Sequence, residues 1–188
     1  MKKFIQKILK EESKGEYILE IPNLSFIPNA DLTRPKGKTI AWNELLRILN
    51  GKPFIFDGDL NLYETDITSL GNLQSVNGNL NINFTDVTSL GNLKSVSGNL
   101  HLNYTHIDSL GELQSVGGWL GLNNSEITSL GDLKSVGGDL ILSYSKISSL
   151  GNLKFVGRNL TLSGSELALL YSEEEIRQMV HVEGDLLM

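Results

Sequence analysis

A pattern of twenty residues recurs six times without an insertion between residues 51 and 170, and it constrains the fold more than any other feature of the chain. Counted from Gly51, position 1 is Gly and positions 10 and 20 are Leu in every block. Positions 12 and 17 hold Leu, Ile or Val, and from the second block onward position 3 is Leu and position 6 is Val. A period this short predicts a solenoid in which each block forms one coil.

Apolar and polar residues alternate around position 10, as in GNLNINF at Gly78–Phe84, which predicts a short strand with one buried face. The LQSV of residues 73–76 and its equivalents predict a second short extended piece in each coil. Because no block can bury its own leucines, the blocks must stack, with parallel strands about 4.8 Å apart. The predicted fold class is mainly β, a right-handed parallel β-solenoid with short capping helices at both ends.

Two sets of repeat positions have a structural interpretation. Positions 3, 6, 10, 12, 17 and 20 are predicted to point inward throughout, including Leu170, whereas position 5 is predicted to do so only in Ile55 and Phe155. Position 15 is Thr or Ser in every block, and position 19 is Ser in the first five. We interpret these hydroxyls as ladders that satisfy backbone groups at the coil corners, not as catalytic serines.

The chain divides into three predicted parts, which are an N-terminal cap at 1–50, six repeats at 51–170, and a C-terminal helix with a final strand at 171–188. Within the N-terminal part, residues 1–12 have the pattern of a helix with one apolar face, and residues 16–27 that of one or two strands.

The segments on either side of the repeats have the patterns of end caps, which a solenoid needs to cover its terminal coils. AWNELLRILNGK, at 41–52, predicts a short helix that covers the first coil with Trp42 and three leucines. The PKGK segment at 35–38 is predicted to be a loop. Ser172 followed by Glu175 forms a capping-box pattern, which predicts a helix at about 172–180.

Two stretches of the repeat resemble known families. The pattern L-x-L-x-x-T-x-I-x-S-L, as in Leu80–Leu90, resembles the leucine-rich-repeat core, with Thr or Ser where that family commonly has Asn. The spacing S-V-x-G-N-L-x-I, as in Ser75–Ile82, is similar to the L-domain repeats of growth-factor receptors and their bacterial relatives. The resemblance covers about two thirds of the chain and implies a solenoid of this type, of bacterial or phage kind, with ligand binding as the receptors' role.

Composition narrows the classes of function. The chain has no Cys, which removes thiolate metal sites and disulfides. The net charge is −6, and the only basic excess lies in residues 1–50, with nine Lys or Arg against six Asp or Glu, so no nucleic-acid partner is expected. No apolar run approaches the roughly 20 residues that span a bilayer, and no signal peptide is evident, so we expect no membrane partner and a cytoplasmic or virion location.

No residue constellation predicts catalysis. His101 and His106 lie five residues apart without a matching carboxylate pattern, which is weak support for a metal site. An acidic cluster at the first coil (Asp57, Asp59, Glu64 and Asp66) could in principle act on a sugar, but it is interpreted as a solvated edge that discourages end-to-end pairing. We expect no enzymatic activity, no metal and no cofactor.

The positions that vary carry the functional prediction. Positions 9, 11, 13 and 14 of the coils are expected to lie on the outer side of the strands, and we call this set the strand face. Its predicted partner-binding residues are Phe84, His101, Asn103, Tyr104, Trp119, Asn123, Ile141 and Tyr144. Aromatic side chains among Asn and Ser are typical of recognition surfaces. The alternative is that these side chains form stacking ladders or are covered by the N-terminal segment.

The functional prediction is a non-enzymatic scaffold that binds a protein partner through the strand face. Two alternatives remain open. One is a carbohydrate-binding or carbohydrate-processing β-solenoid, because aromatic and Asn side chains also suit sugars. The other is a structural component of a larger assembly, such as a virion or a surface structure.

Overall fold

The computed structural model describes residues 18–25, 27 and 30–188, which form a parallel β-solenoid. The predicted fold class, mainly β with a few short helices, is confirmed. The predicted helix at 1–12 lies outside the described residues. Within the 16–27 segment, the described residues contain one strand, Leu19–Ile21. None of the described helices has both the length and the apolar character needed to cross a membrane.

Two parallel sheets run the length of the solenoid, and each coil adds one strand to each sheet. The eight-stranded sheet contains β1 Leu19–Ile21, β2 Phe54–Phe56, β4 Leu73–Val76, β6 Ser95–Val96, β8 Ser115–Val116, β10 Ser135–Val136, β12 Phe155–Val156 and β14 His181–Val182. The seven-stranded sheet contains β3 Leu60–Asn61, β5 Leu80–Asn81, β7 Leu100–His101, β9 Leu120–Gly121, β11 Leu140–Ile141, β13 Leu160–Thr161 and β15 Leu186–Leu187.

The register between coils is twenty residues, so residues of equal repeat position pair with each other. Leu80 pairs with Leu100, and Leu100 with Leu120. Their backbones are hydrogen-bonded from coil to coil, with Leu80 N donating to Asn99 O at 2.8 Å. All three leucines are fully buried, so the predicted leucine columns are confirmed.

The first coil departs from the repeat because of a β-bulge. Phe54 pairs with Leu73 and Ile55 with Ser75, so one residue of β4 is left over. Phe54 and Phe56 are buried, while Ile55 between them is only half-buried. Phe155 is likewise half-buried, beside the buried Val156, so the prediction that position 5 points inward in Ile55 and Phe155 was wrong. A strand alternates its faces, and each of these residues neighbours a side chain that occupies the core.

Helix α1, Pro35–Leu49, covers the first coil. Trp42, Leu45 and Leu49 are buried, and Trp42 Nε1 donates a hydrogen bond to Ser69 O at 2.9 Å. The predicted loop at residues 35–38 was wrong because these residues form the first turn of the helix. Pro is well accommodated there, since the first backbone N–H of a helix has no partner within the helix.

Two short helices occupy the other end, α2 Glu166–Leu170 and α3 Glu173–Met179. The predicted capping box is confirmed, because the Ser172 side chain accepts from Glu175 N and the Glu175 side chain accepts from Ser172 N. Leu170 is 60% exposed, so its predicted inward orientation was wrong. Helix α2 replaces the extended segment found at this point of the other coils, so that Leu167 stays buried at position 17 while Leu170 at position 20 turns outward.

The buried hydroxyls at position 15 donate hydrogen bonds to the carbonyl three residues earlier in five successive coils. Thr105 Oγ1, for example, donates to Leu102 O at 2.7 Å, and Ser125 Oγ donates to Leu122 O at 2.7 Å. The position-19 hydroxyls accept from the backbone N–H two residues on, as Ser109 Oγ does from Gly111 N at 3.1 Å. The interpretation of both sets as ladders that satisfy the backbone is confirmed.

We expect Thr105→Val to lower the free energy of unfolding by about 1–3 kcal/mol, because the Leu102 carbonyl loses a buried hydrogen-bond donor. Thr105→Ser is the matched control, since Ser125 and Ser145 hold the same position, and it should cost much less. Urea unfolding followed by circular dichroism measures both. Equal stability of Thr105→Val and wild type would contradict the role given to this hydroxyl.

Candidate functional site

Positions 13 and 14 lie just beyond the strands of the seven-stranded sheet and place three aromatic rings in one line. Phe84, Tyr104 and Tyr144, which we call the aromatic column, are 48%, 54% and 69% exposed. The other predicted site residues are half-buried: His101, Asn103, Trp119, Asn123 and Ile141. The largest solvent-exposed rings of the strand face are therefore those at position 14.

The backbone at position 14 is left-handed in successive coils. In the first five coils, φ is 55° at Glu64, 55° at Phe84, 56° at Tyr104, 52° at Asn124 and 55° at Tyr144. In the sixth coil Gly164 takes the same conformation, with φ of 71°. This conformation costs a non-Gly residue roughly 1–2 kcal/mol, and Asn tolerates it better than bulky residues do. The aromatic rings therefore sit where the backbone favours Gly or Asn.

Contacts between rings along the column are unequal. Phe84 and Tyr104 stack with centroids 4.8 Å apart and planes 12° apart, and Tyr63 meets Phe84 edge-on at 5.6 Å. Tyr144 lies over Gly164, because a Cβ built on that glycine would come within 2.7 Å of Tyr144 Cδ1. The column thus consists of a stacked pair and a single ring, separated by the coil of Asn124.

An open groove of about 420 Å³, which we call the central groove, lies along the column. It is lined by Asn83, Phe84, Asn103, Tyr104, Asn123, Asn124, Ile141, Ser143 and Tyr144. All of these side chains are uncharged, and aromatic, amide and hydroxyl groups alternate along the groove. Such a surface can pack on apolar groups and donate or accept hydrogen bonds, but it holds no acid–base pair.

Trp119 and His101 form a second cluster beside the groove. Their rings meet edge-on with centroids 4.2 Å apart. A Cβ built on Gly121 would collide with Trp119 Cζ3, so the indole ring lies over this glycine and buries it. Of the predicted site residues, the structure brings Phe84, Asn103, Tyr104, Asn123, Ile141 and Tyr144 together around the groove and places Trp119 and His101 next to it.

The asparagines of the strand face are linked by a side-chain ladder that sequence reasoning missed. Asn103 N donates to Asn83 Oδ1 at 2.8 Å, and Asn123 N donates to Asn103 Oδ1 at 2.9 Å. The ladder ends at Asn123, whose Oδ1 is the one buried side-chain polar atom without a hydrogen-bond partner in the described part of the chain. Identical Asn residues at a fixed period were the available signal, since amide oxygens readily accept from backbone N–H groups.

The acidic cluster of the first coil takes part in similar local contacts. Asp59 Oδ1 accepts from Asn79 N at 2.7 Å, which begins another ladder at position 9. A hydrogen bond from Tyr63 to the Glu64 carboxylate raises the pKa of the Tyr63 hydroxyl.

Across residues 18–25, 27 and 30–188, no group of three or more His, Asp or Glu side chains is placed to hold a metal ion.

The stability of the chain depends on pH through His101 on the strand face, because burial beside Trp119 lowers the pKa of its imidazole. A lowered pKa means that the unfolded chain binds the proton more readily than the folded chain, so the stability is fully present above about pH 6.5 and is lost as the pH falls from there toward the folded-state pKa of His101. We expect the free energy of unfolding to drop as the pH is lowered below about 6.5, and His101→Asn to remove part of that slope. Asn81 holds the same position in the preceding coil, so Asn is a residue that the repeat accepts there. An unchanged slope in urea titrations would contradict this account.

We expect Tyr144→Asn to leave the free energy of unfolding unchanged or to raise it by up to about 1 kcal/mol, because Asn relieves the left-handed backbone. Asn124 shows that the coil accepts this residue at the same position. Thermal and urea unfolding measure the change. A loss well above 1 kcal/mol would mean that the Tyr144 ring is held for stability, not for contact with another molecule.

Comparisons of the chain with protein-family models, with curated proteins and with solved structures found no match.

Proposed function

We propose that this chain is a non-enzymatic scaffold, built as a solenoid of the leucine-rich-repeat or L-domain type, that binds a protein partner through its strand face. The observation that carries the proposal is the aromatic column itself. Phe84, Tyr104 and Tyr144 keep bulky rings about half or more exposed on a left-handed backbone. The coil imposes this backbone whatever residue occupies position 14, and residues held in such a costly conformation cluster at functional sites.

The composition of the central groove supports a protein partner. The groove is lined largely by Tyr, Asn and Ser, which antibody binding loops favour, and Ile141 adds an apolar side chain. Aromatic rings with few rotatable bonds supply contact area at low entropic cost, while Asn and Ser adapt their hydrogen bonds to the partner. The uncharged lining is also consistent with the depletion of charge at the centre of protein interfaces.

The free energy of binding requires a contact area larger than that of the aromatic column. Covering the exposed part of each of the three rings contributes about 1–2 kcal/mol. Association costs on the order of 4–15 kcal/mol in lost translational and rotational freedom, so the rings alone give little net affinity. The bound partner must therefore also cover neighbouring residues of the strand face, and the cluster of Trp119 and His101 beside the groove provides that area.

We expect the double variant Tyr104→Asn, Tyr144→Asn to lose a partner that the wild-type chain captures from an extract of its native host, with the melting temperature retained. The loss of two anchors should weaken binding at least tenfold, or about 1.4 kcal/mol. Quantitative mass spectrometry of the captured proteins, followed by affinity measurement with the purified partner, tests this.

Phe155→Ser is the matched control. It removes an aromatic ring from the eight-stranded sheet, and Ser holds the same position in four other coils. Partner capture should survive this change. Equal capture by the double variant and the control would refute the strand face as the binding surface. A glycan array run in parallel decides the alternative, because a glycan whose binding is lost only in the double variant would replace the protein partner.

A further inference from the structure

The aromatic column has a gap at Asn124 that has room for one planar group but not for two. Tyr104 and Tyr144 belong to coils on either side of Asn124, so two strand spacings, roughly 9–10 Å, separate their backbones. A planar group in van der Waals contact with a ring on each side needs about 7–8 Å, and two such groups need more than about 10 Å. Tyr144 also lies over Gly164, on the side away from Asn124. We call this gap the Asn124 slot.

The two walls of the slot are aromatic rings. Tyr104 stacks on Phe84 through one face only, with planes 12° apart, which leaves its other face toward the coil of Asn124. The opposite wall is Tyr144, the most exposed ring of the column at 69%. A group inserted between them would continue the stack that Phe84 and Tyr104 begin.

The groove residues beside the slot are mostly polar, which favours one kind of planar ligand over another. On the coils of Asn124 and Tyr144 they are Asn123, Asn124, Ser143 and the apolar Ile141, apart from Tyr144 itself. The Asn124 side chain is exposed, and no residue in the described ranges hydrogen-bonds to it. A hydrocarbon ring in the slot would cover this amide without giving it a partner, which is costly. A guanidinium has flat faces that stack on rings and N–H groups at its edge that donate to amide oxygens.

Charge around the groove also favours a cationic guest. None of the groove residues is basic. Lys146, on the coil of Tyr144, is ion-paired with Glu126 on the coil of Asn124, so its charge is offset. Asp86 follows Phe84 by two residues and is exposed, and the chain as a whole carries a net charge of −6.

We propose that the Asn124 slot binds the guanidinium of an arginine side chain, stacked between Tyr104 and Tyr144 and donating to the Asn124 amide oxygen. This inference rests on the proposed function, since the arginine belongs to the protein partner. It adds the chemistry that the partner must present at the centre of its interface.

The test is a nuclear magnetic resonance titration of the full chain, labelled with ¹⁵N, with acetyl-Gly-Arg-Gly-amide. The expected result is a saturable shift of the Asn124 side-chain amide and of the backbone amides of Tyr104 and Tyr144. The lysine peptide of the same design should bind about tenfold more weakly, because an ammonium cannot stack between two rings and donate in their plane. The phenylalanine peptide should produce no saturable shift.

Two variants of Asn124 serve as a matched pair. Asn124→Tyr fills the slot with a ring of the chain's own and should abolish binding of the arginine peptide, and it should fold normally because Tyr104 and Tyr144 hold the same position. Asn124→Gly introduces the residue that Gly164 provides at this position in the sixth coil, so it keeps the slot open and should retain measurable binding through the two rings. The melting temperatures and the ¹⁵N spectra of both variants show that the fold is intact.

Several results would overturn the inference. They are an absent shift with the arginine peptide, equal binding of the lysine peptide, binding of the phenylalanine peptide in its place, or undiminished binding to Asn124→Tyr. The proposed function fails separately. If the host partner is captured through Tyr104 and Tyr144 but binds Asn124→Tyr as tightly as wild type, the strand face is the interface and the slot is not its arginine site.

Discussion

Register-matched parallel pairing at an interval of twenty residues is the constraint on which the rest of this structure depends. Leu80, Leu100 and Leu120 lie in one buried column because each strand pairs with its equivalent in the next coil. A slip of one residue would turn each strand's apolar side chain outward, so the interval cannot drift. Once the interval is fixed, every other repeat position must also form a column. Similar residues then lie next to each other in successive coils and can pack or form hydrogen bonds.

Those columns explain why the polar side chains are as regular as the leucines. In five coils the hydroxyl at position 15 donates to the carbonyl three residues earlier, and an asparagine at position 9 or 13 accepts from the backbone N–H of the next coil, as Asn79 and Asn83 do. The result is a backbone whose corners are satisfied by the chain itself. Position 14 is the exception. Its left-handed backbone suits Gly164 and Asn124, yet the first coil places Glu64 there and three coils place aromatic rings there. Elsewhere in the repeats, the residue types match the local backbone. At position 14 they do not, and this mismatch is the physical reason to look for a function there.

The parts of the fold that follow from periodicity were predictable from the sequence, and the parts that depend on where the periodicity stops were not. The leucine columns, the hydroxyl ladders and the Ser172 capping box each require only residue type and spacing. The bulge that places Phe54 opposite Leu73 and the exposure of Leu170 depend on how the terminal coils meet their caps, which no repeat specifies. In the candidate site, the line of rings was predictable. The half-burial of Trp119 was not, because it depends on the missing side chain of Gly121 in the same coil.

In a solenoid, a substitution on the surface has little effect on the free energy that the core contributes to folding. Each outward side chain touches mainly its own column and the adjacent one, while the leucines inside stay the same. The replacement of an aromatic ring by Asn124 therefore leaves Leu120 and Leu122 fully buried, yet it opens a space between Tyr104 and Tyr144. Recognition on such a scaffold is defined by the order of residues along a column, including the places where a large side chain is absent. The coil that lacks a ring is then as informative about the partner as the coils that carry one.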